Sequence, residues 1–272
     1  MGKQQQRQPT ASDSVADATK PNRLSAWSSP SPGGGEGVGG RGESKAEGRG
    51  ELKTYNEWMF IHLRLHTEFS VVDSTCRIDE VVKAAARDKQ PALAITDISN
   101  LFGALKLYKE ARAKGIKPVL GAEIVLEGLG GDPLAVSRMV LLVQNKQGYL
   151  NISELIARAY TQNVLTTGGK QLAVVKLAWL KELNEGLIAL SGAQAGPVGQ
   201  ALVQGDTARA HDVALQMAGI FTHRFYLELQ RAGRSEDELQ VMAAVQLAAT
   251  MKLPVVATHP IQFTEPDDFE AH

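Results

Sequence analysis

From about residue 58 onward, short strand-like runs and helical apolar spacings alternate at a nearly even pace. No other feature limits the fold as tightly. Met59-Phe60-Ile61 leads into a first strand, and Ile78, Val81, Val82 and Ala85 recur at helical spacing over 78–87. Pro91 to Ile95 reads as a buried strand. The stretch 101–114 puts Leu101, Leu105 and Tyr108 on one face, with Gly115 as a helix stop. Further strands are predicted over 119–126, 139–143, 187–190, 225–229 and 254–257. Helices are predicted over 149–160, near Trp179, from an Asp206 N-cap to about Phe221, and from a Ser235-x-x-Glu238 capping box through Ala249. Residues 161–169 read as a loop. This order implies an α/β fold with a parallel sheet and crossover helices. Seven or eight such units can close into a barrel whose functional groups lie beyond the strand C-terminal ends, although an open doubly wound sheet satisfies the same pattern.

With 43% hydrophobic residues in 272, the chain can bury a sizeable core. Its formal net charge of -1 gives no electrostatic footprint for nucleic acid, and no basic face is obvious. The single cysteine, Cys76, rules out an internal disulfide, agrees with a cytoplasmic location and reads as a packing residue. No apolar stretch approaches bilayer-spanning length. Residues 1–55 form a tail rich in Gly, Ser, Pro and Gln, expected to be disordered, and 56–272 form the folded domain. The tail has no secretory core, Asp13 and Asp17 argue against a transit peptide, and Gly33 to Gly40 lack the Lys-Ser/Thr of a phosphate loop.

Chemistry concentrates in His62-Leu63-Arg64-Leu65-His66-Thr67-Glu68-Phe69-Ser70, after the first strand. Alternation along an extended backbone turns positions 62, 64 and 66 to one side, a fair start for a zinc or manganese site. Two histidines four residues apart are weak evidence alone, because packed or exposed histidines are commoner. His211 and His223 read as surface residues, and Phe225, Tyr226 and Phe263 as core rather than a base-stacking platform.

Together with Ala94-Ile95-Thr96-Asp97-Ile98-Ser99-Asn100-Leu101-Phe102-Gly103, that opening stretch resembles the PHP (polymerase and histidinol phosphatase) domain of bacterial DNA polymerase III alpha subunits. Five further similarities follow in order, at 115–123, 145–151, 186–192, 225–230 and 253–258, so the resemblance spans about 60–272. It implies a distorted barrel of about seven β/α units and, in active members, a metal cluster in nine ligand positions that hydrolyses phosphoesters. Carried over one by one, three positions keep a ligand: His66, Asp73 and Glu123. Six are replaced, by Arg64, Ile98, Arg138, Ala193, Pro260 and Gln262, with His259 shifted beside the last pair.

Two guanidiniums in ligand positions donate no lone pair and repel cations by several kcal/mol, roughly, even at an effective dielectric near 20. No catalytic metal cluster is therefore expected, and no catalytic residue is assigned. Arg64 and Arg138 are expected to neutralise Asp73 and Glu123 as forked ion pairs. The resemblance implies a noncatalytic module of a replicative polymerase that supports the polymerase domains and docks the proofreading exonuclease subunit and other replicase subunits. DNA would be met only through the parent polymerase, whose magnesium-binding palm lies outside this segment. The alternative is a stand-alone metal-dependent phosphoesterase.

Overall fold

The computed structural model describes residues 60–71, 73–129, 135–167 and 169–264. The expectation of a disordered tail over 1–55 lies outside the described residues. Among them are seven α-helices: α1 (Ile78–Arg87), α2 (Ala104–Ala113), α3 (Lys146–Gln162), α4 (Leu177–Glu182), α5 (Pro197–Val203), α6 (Thr207–Ile220) and α7 (Asp237–Met251). Eight strands accompany them: β1 (Ala92–Ile95), β2 (Lys117–Leu126), β3 (Ser137–Val143), β4 (Val164–Thr167), β5 (Lys170–Val175), β6 (Leu187–Leu190), β7 (Phe225–Leu229) and β8 (Val255–Ala257). No helix among the described residues is long and apolar enough to cross a membrane.

The strands form one mixed sheet in the order β4-β5-β2-β3-β6-β7-β8, with β1 also paired to β2. The expected all-parallel arrangement is corrected at β3, which is antiparallel to both β2 and β6. Residues 127–136 between β2 and β3 are too few for a crossover helix, so the chain can only reverse. A second correction is the loop expected at 161–169. It is mostly the hairpin of β4 and β5, with Thr167 opposite Lys170 across a Gly-Gly pair and Gly169 at φ +76°.

The first strand also differs from expectation. His62 bridges to Leu93, and Leu65 bridges to Ile261, with His66 N–H donating to Ile261 O at 3.0 Å. Side chains supplement the backbone bonds here: Ala94 N–H donates to His62 O and Thr96 N–H to Leu65 O, while Leu65 N–H donates to Thr96 Oγ1 and Thr67 N–H to Asp97 Oδ1. Through these bridges the pairings run in a circuit from 62–66 through β1, β2, β3, β6, β7 and β8 to Ile261.

Local chemistry explains most elements. Helix α1 buries Ile78, Val81, Val82 and Ala85, carries Asp79 and Glu80 in its first turn and ends on Arg87, in line with the helix dipole. Helix α2 ends as predicted: Gly115 adopts φ +74° and Ile116 N–H returns to Ala111 O. Its face does not follow the prediction. It buries Ala104, Leu107 and Ala111, leaving Leu105 and Tyr108 exposed. Two small alanines let α2 lie close against its neighbours, which larger residues at those positions would prevent.

Asp206 caps α6 as expected, accepting from Arg209 N–H. Helix α5, absent from the prediction, starts with Pro197 in its first turn. The Ser235 capping box does not form. Helix α7 instead begins at Asp237, whose carboxylate accepts from Ala232 N–H at 2.6 Å, Arg234 N–H at 3.1 Å and Gln194 Nε2 at 2.8 Å. Asp237→Ala should therefore cost about 2 kcal/mol, since it removes a buried carboxylate that ties down three donors in partly buried surroundings. An unchanged denaturation midpoint would show that this anchor carries no stability.

Both faces of the sheet are buried, and strand alternation sorts them. Met139, Leu141, Leu187, Ala189, Ile124 and Leu227 pack with the helices. On the opposite face, Ala94, Val140, Leu142 and Leu190 form a second core with Leu63, Val119, Ile188, Tyr226 and Val256 around it. Glu123, Arg138 and Glu228 occupy that same opposite face by register, where the apolar filling stops.

Candidate functional site

The charged end of this inner face gathers residues far apart in the chain. Glu123, on β2, is fully buried, and two guanidiniums meet it. Arg64 Nη2 is hydrogen-bonded to Glu123 Oε2, and Arg138 Nη1 donates to Oε1 at 3.2 Å. Arg64 also places Nη1 3.6 Å from Oε1 of Glu228, a second fully buried carboxylate, on β7. Thr258 Oγ1 donates to Glu228 Oε1 at 2.8 Å, and Gly192 N–H donates to its other oxygen. Arg64 is thus a fixed cation between two buried acids from opposite sides of the sheet circuit.

His66 pairs through Nδ1 with Asp73 Oδ2, and Gln262 Nε2 donates to the same oxygen at 3.1 Å. Burial pushes the Asp73 carboxyl up, but the His66 bond and charge, the Gln262 bond and Arg138 outweigh it and hold it below the usual carboxylate range. Nε2 of His66 faces Glu123 Oε2 at 3.4 Å without hydrogen-bond alignment.

Asp97, from the Thr-Asp motif, is buried and satisfied by neutral donors: Thr67 N–H, Thr67 Oγ1 at 2.8 Å and Ser70 Oγ at 2.6 Å. It fixes the turn after the opening motif, which carries His66 and leads to Asp73.

The ion-pair expectation is thus only partly matched, since Arg64 and Arg138 both serve Glu123 while Asp73 turns to His66 and Gln262. Of the other replaced positions, Ile98 donates its N–H to Ser70 Oγ, Ala193 is buried at φ +47°, and Pro260 is half-buried. His259 is the histidine whose charge His62 feels. His211 and His223 are exposed, while Cys76 and Phe225 are buried, in agreement with the sequence.

Glu228 was missed from the sequence. The signal was there: an acid inside Phe225-Tyr-Leu-Glu-Leu229 alternates onto the face of Tyr226, where water cannot reach it.

The carboxylates of ligand type here already accept from protein donors, and Nε2 of His66 is the one ligand-type nitrogen at the cluster without a hydrogen-bond partner among the described residues. Glu123 serves two arginines, Asp73 serves His66 and Gln262, and the guanidinium of Arg64 stands among them. Among the described residues, no group of three or more His, Cys, Asp or Glu is placed to hold a metal ion. This donor set does not fit a divalent cation.

A mixed α/β sheet with this buried polar cluster at one end fits the family whose model matches residues 62–232, the PHP domain, and the chain belongs to that family. It is 44% identical over 214 residues to the DNA polymerase III subunit alpha of Pseudomonas aeruginosa, covering 78% of this chain. With the subunit of the same name from Escherichia coli K12 it shares 40% over 218 residues, covering 80%. The chain spans 18% of the length of each of these relatives. Among solved structures, an amidohydrolase from Chromobacterium violaceum with bound sulfate and no metal aligns at TM-score 0.49 and 14% identity, covering 76% of this chain and 89% of that one.

Proposed function

We propose that residues 56–272 form the PHP module of a cytoplasmic replicative DNA polymerase III alpha subunit, a distorted barrel that serves as a scaffold and not as a phosphoesterase. Identity of 44% to a protein of that name supports the parent. The observation that carries the scaffold role is Glu123, whose two oxygens are taken by Arg64 and Arg138. His66, Asp73 and Glu123 are read as remnant ligand positions that hold no metal, the fixed charge of Arg64 replacing a cation. The parent's template-directed synthesis would use magnesium in a palm domain outside this segment. The docking partner proposed for the scaffold is the proofreading exonuclease subunit, with other replicase subunits.

A chimera tests the parent. Grafting this chain in place of the matching segment of the Pseudomonas aeruginosa alpha subunit should leave primer extension and co-purification of the exonuclease subunit intact. Loss of both in a folded chimera would overturn the assignment. The scaffold role is tested separately with manganese or zinc and a generic phosphodiester: no turnover is expected, and turnover abolished by His66→Ala would restore the phosphoesterase reading.

A further inference from the structure

The near-zero net charge conceals a segregation that the fold makes visible. Residues 77–117 hold nine lysines and arginines, all exposed, against five acids, one of which is the buried Asp97. Lys83, Arg87 and Lys106 pair with Asp79, Asp88 and Glu68. The other six, among them Lys109, Arg112 and Lys114, form no ion pair among the described residues.

Helix α2 arranges its part of this charge beside an apolar ridge. Phe102, Leu105 and Tyr108 follow one another at steps of three and are 75%, 65% and 48% exposed. Lys106, Lys109 and Arg112 follow at the same step along the adjacent row. Rings with open faces next to a row of cations, of which Lys109 and Arg112 form no ion pair among the described residues and Lys106 pairs with Glu68, suit a strand whose bases are unstacked and whose phosphates lie alongside. A duplex hides its base faces, and an apolar protein surface would leave the cations unmatched.

We propose that this outer surface of α2 and the turn before it bind single-stranded DNA, with phosphates held by Lys109 and Arg112 and bases stacked on Phe102 and Tyr108. The ridge and the charge are read independently of the polymerase assignment; only the choice of DNA rests on it. The side chains of Phe102, Tyr108, Lys109 and Arg112 are not among the hydrogen-bond partners of Glu123 or His66, so the surface uses other residues than the remnant metal site.

The test uses the whole 272-residue chain and a fluorescent oligo-deoxythymidine of about 20 nucleotides, followed by anisotropy from ~50 to ~200 mM salt. The intact chain should bind, more weakly as salt rises. K109E/R112E should weaken binding at least about tenfold and flatten the log–log salt slope by roughly 0.7 per charge removed. F102A/Y108A should weaken it by about tenfold or more at fixed salt with the slope unchanged, since stacking is not ionic. K146E/K252E, which removes exposed cations elsewhere, should change nothing. All these positions are exposed, and unchanged melting of each variant establishes that it is folded.

No binding at low salt, equal affinity for the duplex of the same length, or wild-type affinity of F102A/Y108A would each overturn the proposal. So would self-association of the chain that F102A/Y108A abolishes, since that would mean protein covers the ridge. None of these results bears on the chimera, so the two readings fail separately.

Discussion

Arg64→Ala should destabilise the domain by about 3–5 kcal/mol and lower its Tm by roughly 10 °C, the largest effect of any single surface-neutral change proposed for this chain. The reason is geometric. Removing the guanidinium leaves Glu123 and Glu228, both fully buried, without the cation between them. Thr258 Oγ1 and Gly192 N–H still serve Glu228, so the heavier loss falls on Glu123. Arg138 cannot substitute, because its side chain is 42% exposed and touches only Oε1. Arg138→Ala should accordingly cost no more than about 1 kcal/mol, with solvent screening most of its charge.

A double variant separates charge balance from packing. In Arg64→Leu/Glu123→Leu the acid that loses most is gone along with its partner, while Glu228 keeps Thr258 Oγ1 and Gly192 N–H, and such exchanges are often neutral. Thermal melting should then recover most of what Arg64→Ala loses. A double variant as unstable as the single one would mean that Arg64 matters through its stem and contacts rather than its charge. An Arg64→Ala protein melting like wild type would remove the charge argument altogether.

How far the site could be read from sequence depended on what kind of information each residue carries. Short apolar runs located β1, β6 and β7 within a residue, and helical spacing located α1 without error, because burial concentrates apolar residues in the chain. The hairpin of β4 and β5 is legible in Thr167-Gly-Gly-Lys170, two glycines between strand-forming residues, where the sequence reading gives only a loop. The antiparallel placement of β3 was implied by the ten residues after β2, too few for a crossover helix. Strand direction is a property of connections, and the periodicity of a strand does not contain it.

The site divides in the same way. Ligand replacement at Arg64 and Arg138 was visible residue by residue, whereas their pairing required the sheet to bring β2 and β3 side by side and Arg64 beside them. Gln262 illustrates the limit. In the sequence it is a lost histidine; in the fold its amide donates to Asp73 and its carbonyl accepts from Thr75 N–H and Ser74 Oγ. A polar residue's partner across 189 positions of chain is set by topology, which no local pattern records. Leu105 and Tyr108 err in the other direction. Helical spacing marks an apolar row but does not say whether that row or the alanine row at 104 and 111 is the one buried.

The second large effect is on pH dependence, and it comes from His62. Burial first, and then the neighbouring His259, lower its pKa from 6.5 to about 4. The ring packs edge-on to Phe60 and lines a small cavity with Val81, Ala85, Leu93 and Ile261, which Asp88, Gln90 and Thr264 also border. Its Nδ1 is buried with no hydrogen-bond partner, so no hydrogen bond at that nitrogen offsets the cost of burying a proton's charge.

Because the folded-state value is depressed, the unfolded chain takes up a proton first as pH falls. Stability is therefore complete above about 6.5 and is lost progressively down to about 4, by an amount on the order of 3 kcal/mol. His259, shifted in the same direction by burial, adds to the loss. Asp73 does not contribute in this window, since its pKa lies below 3.8 and its stabilisation goes only at lower pH.

Urea midpoints measured between pH 7.5 and 4.5 should fall for the wild type and much less for His62→Leu, which fits the apolar lining and cannot take a proton. Equal slopes in the two proteins would move the origin to His259, and a flat wild-type profile would mean that water reaches Nδ1 freely. The ordering of the two effects matters for practice. At neutral pH the domain stands or falls with the charge on Arg64, and below pH 6 with the absence of one on His62.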